Sequence, residues 1–125
     1  MKTLLSLAAL VPSLALAGPA TAWKLDPSHS TVGFSVRHLV ISQARGEVTR
    51  YAGTVTLDEA DLGRSRVEAT IEAASVDTRN ADRDGHLRSP DFLDVAKYPT
   101  LHFVSTSVTP AGKDKLAVQG NLTLH

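Results

Sequence analysis

The chain has no cysteine and only one tryptophan, two tyrosines and three phenylalanines in 125 residues. Without thiols it has neither disulfides nor thiolate metal ligands, so its stability rests on packing alone. Charge of one sign is also missing, with 13 Lys and Arg against 13 Asp and Glu. A balanced chain offers no electrostatic case for nucleic acid or an anionic membrane surface. No GxSxG elbow, HExxH pair, P-loop or dinucleotide fingerprint is present. The five histidines, His29, His38, His86, His102 and His125, form no compact ligand pair, so neither metal nor cofactor is expected.

Long apolar runs are absent except at the start. Lys2 followed by the apolar stretch Leu4 to Leu16, then Ala20-Thr21-Ala22, reads as an export signal with a small-x-small cleavage site. A membrane anchor would need about 20 uninterrupted apolar residues, and Pro12 interrupts this run. Residues 1–22 are therefore expected to be removed, leaving a periplasmic or secreted domain that begins at Trp23 and has no stable membrane insertion. Loss of Lys2 leaves that domain one negative charge from neutrality.

What remains alternates with a period of two. Val32, Phe34, Val36 and His38 oppose Thr31, Gly33, Ser35 and Arg37, and Val67, Ala69, Ile71 and Ala73 oppose Arg66, Glu68, Thr70 and Glu72. Gly46 to Tyr51 and Gly53 to Asp58 read as one continued strand with Val55 and Leu57 inward. Leu39-Val40-Ile41 reads as a bend or helical turn. Thr100 to Val108 and Lys115 to His125 complete the set, the last carrying Leu116, Val118, Leu122 and Leu124 on one face. Short turns between half-apolar strands imply an all-β antiparallel sheet, closed as a barrel or packed as a sandwich. The final strand stops without a cap or polar tail, as expected of a domain (residues 23–125) that lacks its last strands. With two open edges, such a chain is expected to self-associate.

One segment breaks the period. Ser75 to Pro99 reads as two short helices, spanning about 78–96 and joined near Arg88-Ser89. Asp77 can cap a turn beginning at Thr78, and Ser89-Pro90-Asp91 starts the second helix with a hydroxyl, a proline and a carboxylate. Its charges are read as caps and ion pairs of a lid rather than as acid–base chemistry, since no spacing fixes a catalytic pair. Asp84 with His86 is the pair that an enzyme acting here would use.

The same residues carry a resemblance. Leu25-Asp26-Pro27, His29-Ser30, and Val32, Phe34, Val36 and His38-Leu39 resemble the opening of the YceI-like family of exported bacterial proteins. Ser75-Val76-Asp77-Thr78, Arg83-Asp84, His86-Leu87, Ser89, Asp91-Phe92, Lys97-Tyr98-Pro99, Phe103 and Ser105-Thr106 are similar to its central signature. Gly120-Asn121-Leu122-Thr123-Leu124 resembles the start of a third block. Val48 and Tyr51 depart from the larger or less polar aromatics usual in the family. The resemblance implies a lipocalin-like β-barrel, incomplete here, that binds a polyisoprenoid lipid without catalysis. The expected partner is an isoprenoid lipid or quinone, with a homodimer allowed and no nucleic acid. The expected wall is Val32, Phe34, Val36, Val55, Leu57, Val67, Ile71, Leu101, Phe103, Leu116 and Val118, and the expected mouth is His38, His86 and Arg88. The rival functions are an enzyme acting on a lipid head group and a structural or stress protein with a filled core.

Overall fold

The structure is a computed structural model that describes residues 20–38 and 40–125, the side chain of His38 excepted. Its strands are β1 (Thr21–Lys24), β2 (Val32–His38), β3 (Ser42–Val48), β4 (Tyr51–Leu57), β5 (Arg66–Glu72), β6 (Val76–Asp77), β7 (Thr100–Pro110) and β8 (Leu116–Thr123). One helix, α1 (Ala81–Arg88), follows β6. All ladders are antiparallel, as the alternation required. They form two sheets, β1-β4-β5-β7-β8 and β2-β3-β6, and neither closes on itself. The N-terminal apolar run lies outside the described residues, as does Leu39; within them no helix is long and apolar enough to cross a membrane.

The expected single strand through Tyr51 is two strands in two sheets. The chain leaves the three-stranded sheet at Val48 and enters the five-stranded one at Tyr51. Periodicity records which side a residue faces but not which sheet holds it, so it ran through the break unmarked. At the break the backbone finds another partner. The Thr49 amide donates to the Ser75 carbonyl (3.1 Å) and the Arg50 amide to Ser75 Oγ (3.1 Å). Ser75 Oγ in turn donates to the Glu72 carbonyl (2.7 Å). The same residue therefore also holds the later crossing where β5 passes through a single 3-10 turn (Ala73–Ser75) into β6. Outside this corner, Arg50 and Glu72 meet in a two-pronged ion pair of 2.6 and 2.8 Å.

Register places the apolar residues of the five strands on one face: Tyr51, Ile71 and Leu101 in one row, and Gly53, Ala69, Phe103 and Leu122 in the next. Val55 pairs with Val67 and with Trp23, and Val108 pairs with Val118 beyond an irregularity between Ser105 and Ser107. That irregularity adds one residue to β7 and explains why its two faces read less cleanly in sequence. Burial is sparse: Ile71, Ala73, Val76 and Val108 are the buried hydrophobics among the described residues. The rest of the apolar face is half-buried along its middle strands and exposed at Trp23, Leu116, Val118 and Leu122.

Glycine lets neighbouring side chains lie flat on this face. A Cβ at Gly53 would meet the Glu68 carbonyl oxygen at 2.6 Å and Leu25 Cδ1 at 2.8 Å. Backbone on one side leaves no room to yield. Gly53→Ala is expected to cost about 1–3 kcal/mol by overpacking, read as a lower urea midpoint at unchanged slope.

Candidate ligand-binding cleft

Helix α1 is eight residues long, too short to persist on propensity alone. It is fastened instead. Asn80 Oδ1 caps it by accepting the Arg83 amide (3.0 Å). Asp82 and Asp84 lie in its first turn and His86 and Arg88 in its last, the order that the helix dipole favours. Buried Asp84 accepts both the amide (3.0 Å) and the hydroxyl (2.6 Å) of Thr78. Thr78 Oγ1 accepts in return from Arg83 Nε (2.7 Å), while Arg83 Nη2 reaches the Thr78 carbonyl (2.9 Å). Arg88 donates to the carbonyls of Ala74 (2.9 Å) and Val76 (2.8 Å). The helix is thus tied to the strand before it by charge-assisted bonds, which are about twice as strong as neutral ones.

The expected second helix does not form. Ser89 donates its hydroxyl to the His86 carbonyl (2.7 Å), closing α1, and accepts the Asp91 amide (3.3 Å), but only turns follow. Asp94 has φ 46°, a left-handed conformation that ends any helical run. The segment proceeds through turns, with the Phe92 and Asp94 amides both on the Ser89 carbonyl (3.0 and 2.9 Å) and the Tyr98 amide on the Asp94 carbonyl (2.8 Å).

Between this lid and the β2–β3 hairpin opens a cleft of about 480 Å³, within the size range of small-molecule sites. Phe34 and Val36 of β2, Ala44 of β3, and Leu87 and Phe92 of the lid form its apolar lining. Ser42, Gln43, Thr78, Arg83 and His86 add polar edges. The Phe34 ring fills the place of a side chain at Gly46, where a Cβ would lie 2.5 Å from its Cζ. His86 meets the edge of Phe92 with ring centroids 4.8 Å apart at 88°, and its Nε2 lies 3.3 Å from Asp91 Oδ2.

Of the residues expected to bind, Phe34, Val36 and His86 come together in this cleft. Val55, Leu57, Val67, Ile71, Leu101, Phe103, Leu116 and Val118 lie instead on the apolar face of the five-stranded sheet. Val32 pairs with Val48 at the far end of the hairpin. Arg88, expected at the mouth, is turned to backbone carbonyls and fastens the lid; the expectation for His38 rests on a side chain outside the described residues. Asp84 and His86 do not act together, one being bonded to Thr78 and the other to Asp91. Sequence reasoning missed Ser42, Gln43 and Ala44, because no pattern on β3 marked them as facing a helix forty residues on.

The two Thr78 donors, hydroxyl first, hold the Asp84 carboxyl below its usual range against the opposing effect of burial, with Arg88 and Arg83 adding to them. A depressed carboxylate stabilises the fold above its unfolded pKa of about 3.9 and loses that contribution as pH falls through the lower folded value. Asp26 is depressed as well, chiefly by His29. Urea midpoints should therefore fall as pH drops below about 4. Asp84→Asn should lower the midpoint at neutral pH and flatten, without abolishing, the acid decline.

A YceI-like domain model matches residues 23–125. The chain is 37% identical over 127 residues to a UPF0312 protein of Vibrio cholerae, covering 99% of this chain and 67% of that one. It is 44% identical over 108 residues to the protein YceI of Salmonella newport, covering 85% of this chain and 56% of its relative. Among solved structures it resembles Burkholderia cenocepacia BcnA, with TM-score 0.67, 28% identity, and coverage of 79% and 62%. It also resembles the Campylobacter jejuni YCEI protein, with TM-score 0.58, 35% identity, and coverage of 80% and 58%. The chain thus spans between about half and two thirds of the length of these relatives. It shares their antiparallel, lipocalin-like β architecture, and by the match over residues 23–125 it belongs to the YceI-like family.

Proposed function

We propose that this protein is a non-catalytic binding module that shelters the tail of a long-chain isoprenoid lipid, of polyprenyl phosphate or quinone type, after export to the periplasm. The observation that carries this reading is the division of labour around the lid. The apolar side chains Phe34, Val36, Ala44, Leu87 and Phe92 face an open cleft, whereas Asp84, Arg83 and Arg88 are consumed in holding the lid. Groups so committed are poorly placed to move protons in an attacking site. An apolar tail needs no special motif, since each buried methylene contributes about 0.8 kcal/mol. A few isoprenoid units in the cleft and along the sheet face would reach micromolar affinity, each 1.4 kcal/mol being about tenfold. Export rests on the N-terminal apolar segment and its cleavage site.

The test is organic extraction of the exported, purified protein followed by mass spectrometry, with N-terminal sequencing of the same sample. A co-purified isoprenoid and a start at Trp23 are expected. Phe92, half exposed, can be truncated without emptying a core. Phe92→Ser should keep its far-UV spectrum and bind the extracted lipid roughly tenfold more weakly, the loss of one aromatic contact. Repeated preparations without isoprenoid or fatty ligand would overturn the reading.

A further inference from the structure

The turn that joins β2 to β3 is made of residues that no turn requires. Tight hairpin turns favour Gly, Asn, Asp, Pro and Ser, which supply left-handed backbone or local hydrogen bonds. Here the sequence between the strands is Leu39-Val40-Ile41, and the chain turns at Val40 and Ile41. Val40 is 96% exposed and Ile41 95%, whereas the next most exposed large hydrophobic among the described residues, Trp23, is 61% exposed. The hairpin ladder runs unbroken from Val32–Val48 to His38–Ser42, so the hairpin itself holds this tip at the end of its strands. Two β-branched apolar side chains thus stand in water where neither turn chemistry nor core packing uses them.

Charge and position supply the occupant. The chain is neutral as a whole, but residues 27–46 contain no Asp or Glu and carry Arg37 and Arg45. Register puts both arginines on the hairpin face opposite Phe34 and Val36, with Arg37 across from Gln43 and Arg45 across from Ser35. Among the described residues neither forms an ion pair. Apolar side chains at a tip backed by unpaired cations suit a bilayer surface: the first enter the head-group boundary and the second meet anionic lipid. A stable protein interface would need about 800 Å² from each partner, far more than two side chains offer. The tip also adjoins the cleft, since Ser42 follows Ile41 and both Ser42 and Val36 line that cleft. A lipid drawn from a bilayer beneath the tip would meet the cleft next.

We propose that the β2–β3 tip, through Val40 and Ile41, is a membrane-docking loop that seats reversibly in the surface of an anionic bilayer and brings the cleft to it. Docking needs no bound isoprenoid, so it stands or falls apart from the lipid proposed for the cleft. The test is co-sedimentation of the exported, purified protein with vesicles free of isoprenoid, made of phosphatidylglycerol with phosphatidylethanolamine or of phosphatidylcholine alone. The protein should bind the anionic vesicles more tightly than the neutral ones, and the difference should shrink as salt rises. Val40→Ser with Ile41→Ser should weaken binding to anionic vesicles by at least about tenfold. Its urea midpoint should stay unchanged, since both side chains are already in water. Arg37→Gln with Arg45→Gln should lower the preference for anionic vesicles by roughly fivefold. An unaltered protein that binds neither kind of vesicle overturns the proposal. So does binding that the tip variant leaves intact, as attachment through another apolar surface would be. Self-association without vesicles that the tip variant abolishes overturns it too, being the mark of a tip that meets a second copy.

Discussion

The architecture turns on the Ser75 corner. Two of the chain's four passages between the two sheets occur there, β3 to β4 and β5 to β6, and both leave backbone groups that no ladder can satisfy. Ser75 answers them with its carbonyl and hydroxyl, and it is itself buried. The two crossings therefore share one residue. With the corner set, the hairpin of β2 and β3 stands away from the five-stranded sheet, and the lid that follows β6 lies against the hairpin.

The lid shows how charge can be structural in a segment that looks chemical. Ser75 to Pro99 concentrates Asp and Arg, the residue types of acid–base sites. Their bonds run to Thr78, to Asn80 and to the carbonyls of Ala74 and Val76. An eight-residue helix has little stability of its own, and these bonds supply its anchorage. The consequence for function is that the lid presents Leu87 and Phe92 to the cleft, with Arg83 and His86 at its edge.

Much of this was legible in the chain itself. Alternation located the strands because side chains on a half-buried sheet must alternate, and the alternating apolar residues of β4, β5, β7 and β8 do share a face of the five-stranded sheet. The lid announced itself by loss of that period and by its caps. The second helix was misread because the Ser89 hydroxyl does meet the Asp91 amide ahead of it as well as the His86 carbonyl behind, yet the left-handed backbone at Asp94 stops the run after a turn. Arg88 was misread for a similar reason: a long cation can serve a mouth or a backbone carbonyl equally well until its neighbours are known.

By itself, the sequence determined the antiparallel strand content, the apolar set, the place of the lid and the membership of the YceI-like family, because these follow from local periodicity, caps and ordered identities. Only the tertiary structure decided that the strand read through Tyr51 divides between two sheets, that Phe34, Val36, Ala44, Leu87 and Phe92 converge on one cleft, and that Arg88 and Asp84 are fastenings. Those are matters of which distant groups meet. A residue's period and chemistry constrain the kind of partner it needs, but loop closure and competing hydrogen bonds select the partner it gets.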